Sequence, residues 1–207
     1  MATVCGAVSI MPLFHRLRVE IAQNRLARWL NSNACHERIH PQGWEPEVLA
    51  CLCDSRWDGP VWDVGASLGR QAYRVARNHK VYAFEPNLNS LQFLGYNLQD
   101  CSDVVIVPCA LTLDGRPMKG SYHPDFLAPP TGPQVATLSL AEALQKFGRP
   151  GVIKLDIEGG EYELIKSELL IGLTLLIEWH GEVPRELPHW TIQIIDPTHT
   201  LLRPKTS

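Results

Sequence analysis

The sequence predicts an α/β fold: a mostly parallel sheet of seven strands with an antiparallel C-terminal hairpin. Three observations carry this. Short apolar or β-branched runs such as residues 104–107 and 173–177 recur along the chain, as strands buried on both faces do. Segments with apolar residues at helical spacing alternate with them, the rhythm of βαβ units. Two glycines, Gly65 and Gly69, directly follow the first run, where a strand must turn tightly into a helix.

The elements follow in order. Residues 12–30 read as a helix. Pro12 suits a first turn, and Phe14, Leu17, Ile21, Ala22, Leu26, Trp29 and Leu30 recur at helical spacing. A short helix is expected over 45–53, a strand over 60–65 and a helix over 67–79. Residues 80–85 form the next strand, closed by Pro86. Leu88, Leu91, Leu94 and Leu98 mark a further helix, and 104–107 a strand. Residues 112–136 hold five prolines and three glycines, which predicts a long loop of the kind that forms lids or binding loops. Ser139 and Glu142 make a capping box for a helix through Phe147. Strand 151–157, helix 161–170 and strand 173–179 follow. Strands 191–196 and 200–203, joined by a tight turn at 197–199, complete the hairpin. Residues 1–55 form an N-terminal helical cap or extension, and 56–207 the main domain.

Composition narrows the function. The chain has 207 residues, 45% hydrophobic and 20% charged, which fits a globular domain and excludes wholesale disorder. No run approaches the ~18 apolar residues of a membrane span. Net charge is −3, which argues against coating nucleic acid. The charge is uneven, with five Arg and two Glu before residue 41. The six cysteines contain no C-x2-C pair, so there is no zinc signature. Dispersed thiols without a signal segment point to a cytoplasmic protein.

Four motifs carry chemistry. The first is the turn Asp63-Val-Gly65-Ala66-Ser67-Leu-Gly69. It offers backbone N–H groups to a polar ligand, but lacks the G-x-G-x-x-G spacing of dinucleotide sites. S-adenosylmethionine carries no phosphate and tolerates an acid there, and Asp63 can attract its amino group. The second is Glu85, before Pro86 and Asn87 and 20 residues beyond Gly65, a separation at which a carboxylate accepts ribose hydroxyls. Capping of the following helix is the competing role, and the order of the two signals favours ribose. The third is the string 152–161, where Asp156, Glu158 and Glu161 follow a buried strand containing Lys154. A buried lysine needs a partner. The fourth is 176–181, where Glu178 and His180 lie two apart and are expected on one side of a strand. A histidine there can take a proton or serve the structure.

Together these segments, DVGASLG, AFEPN, PCAL, TLSLAEAL, IKLDIEGGE and LLIEWHG, resemble the FkbM family of methyltransferases over roughly residues 60–181. The resemblance implies a Rossmann-like class I methyltransferase sandwich with residues 56–207 binding S-adenosylmethionine, and methyl transfer to a hydroxyl oxygen. Carried over, Asp63, Gly65, Ala66, Ser67 and Gly69 surround the methionine end. Glu85, Pro86 and Asn87 hold the ribose, Ala110 lies near the adenine, and Asp156 faces the methyl group. His180 is the expected general base, oriented by Asp156 or Glu178. The same three residues are candidates for a divalent cation, Mg²⁺ or Mn²⁺. The expected acceptor is a hydroxyl on a small molecule or sugar. RNA 2′-O-methylation is the alternative, disfavoured because residues 151–200 hold nine acidic and three basic residues. An inactive binding module is a further alternative, and a homodimer remains open. Prolines 184 and 188 leave little room for a helix before the hairpin.

Overall fold

The computed structural model describes residues 45–119 and 134–205. The helix expected over 12–30 and the middle of the proline-rich loop lie outside them. The unit described begins at Glu45.

Seven strands form the sheet: β1 (Val61–Val64), β2 (Val81–Phe84), β3 (Val104–Val107), β8 (Val152–Leu155), β9 (Leu175–Glu178), β10 (Trp190–Ile194) and β11 (His199–Pro204). Their spatial order is β10-β11-β9-β8-β1-β2-β3. Strand β1 pairs in parallel with β2 and β8, β2 with β3, and β8 with β9. Strand β11 runs antiparallel to both β9 and β10. The expected seven-stranded sheet with its hairpin is therefore observed, with β11 inserted between β9 and β10.

Side chains alternate across the sheet, and the core divides accordingly. Val61, Val81, Ala83, Val152 and Leu176 pack on one face with Val48 and Leu52 of α1 (Pro46–Leu52), Ala72 and Val75 of α2 (Arg70–Val75) and Leu94 of α3 (Leu88–Asn97). Trp62, Val64, Phe84, Ile153, Leu155 and Ile177 pack on the other with Leu140 and Ala143 of α4 (Leu140–Phe147) and Leu164 of α5 (Glu161–Leu164). Each fully buried Leu or Ile contributes roughly 1.5–3 kcal/mol. Helix α1 thus joins this core, although it precedes the boundary expected at residue 55.

Two helices are shorter than expected, for local reasons. The segment 67–79 is helical only over Arg70–Val75; it starts late because Ser67 and Gly69 take left-handed backbone at φ 48° and 85° and extend the turn, and residues 76–78 form turns. The helix expected over 161–170 stops at Leu164. Ser167 is extended and its hydroxyl accepts the Leu169 N–H, starting a separate 3-10 turn at Glu168–Leu170. The capping box forms as expected, with Ser139 and Glu142 each accepting the other's backbone N–H. The loop expected over 112–136 is not structureless at its ends. Strands β4 (Ala110–Thr112) and β7 (Thr137–Ser139) pair in parallel, and β5 (Met118–Lys119) pairs antiparallel with β6 (Gln134–Val135). Between Trp179 and His189 the chain has bends and a turn but no helix, in keeping with its prolines. No helix among the described residues is long and apolar enough to cross a membrane.

Candidate active site

The carboxyl ends of β1, β2, β8 and β9 gather the motif residues. Gly65 follows β1 at φ 85°, and a Cβ there would lie 1.7 Å from the Asp156 carbonyl oxygen. Only glycine allows the β1 turn and the β8 end to approach this closely. The Gly65 and Ala66 N–H groups both donate to the Phe84 carbonyl, and Asn97 donates to the Leu68 carbonyl at 2.7 Å. The turn is thereby fixed from both sides.

Lys154 lies inside β8 with its side chain 2% exposed. Its ammonium reaches Asp63 Oδ1 at 3.2 Å, Asp156 Oδ2 at 3.0 Å and the Gly65 carbonyl at 3.4 Å. The ammonium donates to Asp156 and to the Gly65 carbonyl, and Asp63 adds a close ion pair. Burial opposes the charge, but the two carboxylates outweigh it and hold the lysine well above its ordinary pKa. Asp63, expected to attract the cofactor's amino group, is 1% exposed and spends its charge on Lys154. Asp156 remains partly accessible, at 23%.

Glu85 directly follows β2 and is 6% exposed. Its Oε2 accepts the Ser67 N–H at 2.8 Å and its Oε1 the Asn87 N–H at 2.7 Å. The carboxylate therefore ties together the first two strand-end turns. The cap of α3 is a different group, the Asn87 side chain, which accepts the Asn89 N–H. Burial raises the pKa of Glu85, and the two N–H donors partly offset this. Each oxygen keeps a lone pair for a further donor, so the carboxylate fits a pair of ribose hydroxyls. Pro86 follows in the same turn, and Ala110 opens β4, donating its N–H to the Ala136 carbonyl.

His180 lies two residues past β9, and three carboxylates from the β8–α5 segment surround its ring. Glu161 is fully buried. Its Oε1 accepts the His180 backbone N–H at 2.9 Å and lies 3.3 Å from Nδ1, while Oε2 accepts the Gly159 N–H at 2.9 Å. On the other side, Nε2 is 3.0 Å from Glu158 and 3.7 Å from Asp156. Glu158 is in left-handed backbone at φ 56°. Burial raises its pKa, against the pull of His180.

The structure thus brings Asp156 to His180, while Glu178 makes its ion pair with His199, 3.4 Å away. Glu178 is the last residue of β9, so strand alternation stops before His180 and does not align the two. Among the described residues, two His–carboxylate groups have ligand atoms close enough to share an ion: Asp156, Glu158 and His180, and Glu45, Glu178 and His199. Sequence reasoning gave Glu161 no specific role and did not single out Glu45, Asp196 or His199. The sequence carried no signal for His199, which was expected in the hairpin turn; its place opposite Glu178 follows from the pairing of β11 with β9.

A Rossmann-like sheet with one inserted antiparallel strand, and acids ordered along its carboxyl ends, defines the class I methyltransferase fold. The chain belongs to the family described as the Methyltransferase FkbM domain, which matches residues 63–191. It is 28% identical over 141 residues to the hexuronic acid methyltransferase AglP of Haloferax volcanii. That match covers 63% of this chain and 59% of the relative. Among solved structures, the precorrin-6y C5,15-methyltransferase of Geobacter metallireducens is 18% identical, with TM-score 0.39, covering 68% of this chain and 66% of that one. Fibrillarin of Aeropyrum pernix, solved with natively bound S-adenosyl-L-methionine, is 10% identical with TM-score 0.41, covering 74% and 71%.

Proposed function

We propose that the protein is an S-adenosylmethionine-dependent methyltransferase that methylates a hydroxyl oxygen on a small molecule of the sugar class. Family membership and the hexuronic acid relative support this reading. The observation that carries its chemistry is the His180 ring, held at Nδ1 by buried Glu161 with Nε2 facing Glu158 at 3.0 Å and Asp156 at 3.7 Å at the strand ends. The cofactor, when bound, supplies a methyl group already activated on a sulfonium. Glu85 would hold the ribose hydroxyls and the 65–69 turn would line the methionine end. Asp156, neutralised in part by Lys154, faces the reacting centre. His180 Nε2 would take the proton of the acceptor hydroxyl. General-base assistance of this kind is worth about 10²–10⁴ in rate. The acidic surround suits a neutral polyol better than a polyanion.

His180→Ala is expected to lower turnover at saturating acceptor by about 10²–10⁴-fold and to leave cofactor affinity, measured by calorimetry, unchanged. Intact turnover in that variant would falsify the base assignment. Absence of cofactor binding by the unaltered protein would remove the methyltransferase reading itself.

A further inference from the structure

We propose that Glu45, Glu178 and His199 form a binding site for one divalent transition-metal ion, separate from the His180 centre. The inference does not rest on the methyl-transfer reading. Three chain segments converge to build the group. Register places His199, the first residue of β11, opposite Glu178, the last residue of β9. Glu45 precedes α1 in left-handed backbone, at φ 44°. Ligand atoms of the three residues all lie within 4.8 Å of one another. Two donors that share an ion at about 2.0–2.2 Å stand at most about 4.4 Å apart, so small side-chain rotations would bring the three onto one ion.

A second observation points to a ligand. The His199 side chain is 5% exposed, and its Nε2 makes no hydrogen bond. The atom is aimed at Glu178 Oε2, 3.4 Å away. The opposite ring nitrogen is fully engaged, with Nδ1 lying 2.9 and 2.8 Å from the two Asp196 oxygens. Asp196 is itself fixed by the Thr198 and His199 backbone N–H groups. With Nδ1 keeping a proton shared with Asp196, release of the Nε2 proton would open that lone pair to a metal. Carboxylate, imidazole and metal in that order make the outer arrangement that orients histidine ligands. Glu45 has an outer partner too, since its Oε2 accepts from Gln71 at 3.0 Å, which leaves Oε1 for an ion.

Charge favours the same reading. Three carboxylates converge on a single imidazole, and a divalent cation offsets the excess. One imidazole with two carboxylates suits Mn²⁺ or Zn²⁺, whereas Mg²⁺ favours an all-oxygen shell. Such an ion would tie the entry to α1, the end of β9 and the C-terminal hairpin into one unit.

The test uses the full chain freed of metal with EDTA and titrated with Mn²⁺ or Zn²⁺. One Mn²⁺ per chain is expected, with spin-echo modulation from one directly coordinated nitrogen and a metal-dependent rise in Tm. Glu45→Gln keeps the Gln71 contact and Glu178→Gln keeps the strand end. Each should weaken binding about tenfold or more, while Glu158→Gln at the His180 centre leaves affinity unchanged. Stoichiometric binding lost in Glu158→Gln but kept in Glu45→Gln would overturn the proposal. So would the absence of bound Mn²⁺ or Zn²⁺ at millimolar concentration, which would leave the ring as an ion-pair bridge between Glu178 and Asp196.

Discussion

Glu161 acts on the candidate base from a position with no solvent contact. Its two oxygens hold the backbone of Gly159 and of His180, and one lies against the His180 ring. Glutamine offers one acceptor oxygen and one NH₂, so in Glu161→Gln one backbone N–H faces a donor. A buried group left unsatisfied costs about 1–3 kcal/mol, measurable by urea unfolding. If Glu161 positions the base, kcat also falls, by up to about 100-fold for a 1 Å displacement, with cofactor affinity unchanged. The effect should vanish in a His180→Ala background, because residues that work as a unit are not additive. A purely structural role would lower kcat equally in both backgrounds. Glu85 gives a pH prediction. Ribose hydroxyls donate to the ionised carboxylate, and burial raises its pKa in the free protein. Cofactor binding must then release a proton near that pKa, so affinity falls as pH drops through it. Calorimetry across pH should show this acid limb above the range of an ordinary Glu. Glu85→Gln should bind about 10–100-fold more weakly at neutral pH, from the loss of charge-assisted bonds, and show no such limb. Much at this scale was legible: Lys154 demanded a partner, and the glycine turn and Glu85 stood in order. The partners of Glu161 and Asp63 were not, because they depend on which strand ends meet in space.

At the scale of elements, apolar runs located the central strands β1, β2, β8 and β9, since burial on both faces leaves a continuous signal. Helix lengths were less legible. Left-handed residues at 67 and 69 delay the start of one helix, and the Ser167 cap begins a separate turn where the apolar spacing of another continues. A local side-chain hydrogen bond outweighs the weak periodicity of one more turn. The hairpin was visible in its turn residues, yet its insertion beside β9 was not, because periodicity carries no information on neighbours. That insertion is pinned by a buried bond. Trp179 Nε1 donates to Thr200 Oγ1 at 2.8 Å, and both residues are at most 3% exposed. Thr200→Val keeps the shape and removes the acceptor. It should destabilise the protein by about 1–3 kcal/mol through the orphaned indole N–H. Trp179→Phe in the Thr200→Val background should recover part of that loss, because the unsatisfied donor is gone. Recovery is read from urea midpoints at constant m-value, and its absence would show that packing rather than the hydrogen bond holds the insertion.

For the whole molecule, the centre of the fold and the candidate site depend on one ion cluster. Strands β1 and β8 are neighbours, and Lys154 joins Asp63 on one to Asp156 at the end of the other. Breaking a buried pair by removing one partner costs about 3–5 kcal/mol. Domains of this kind have about 5–15 kcal/mol in all. Lys154→Met fills a similar volume but leaves two carboxylates facing each other without a cation. It should bring the protein close to unfolding at neutral pH, with a large fall in Tm. Adding Asp63→Leu removes the more buried carboxylate, and the double variant should regain part of the loss. Asp156, with 23% of its side chain exposed, can then be solvated. The double-mutant cycle yields the coupling between the two sites, and a value near zero would show that Lys154 contributes packing alone. Cofactor affinity provides the functional readout. If the cluster sets the geometry of the 65–69 turn, the double variant regains stability but not affinity, because nothing then holds the Gly65 carbonyl against β8.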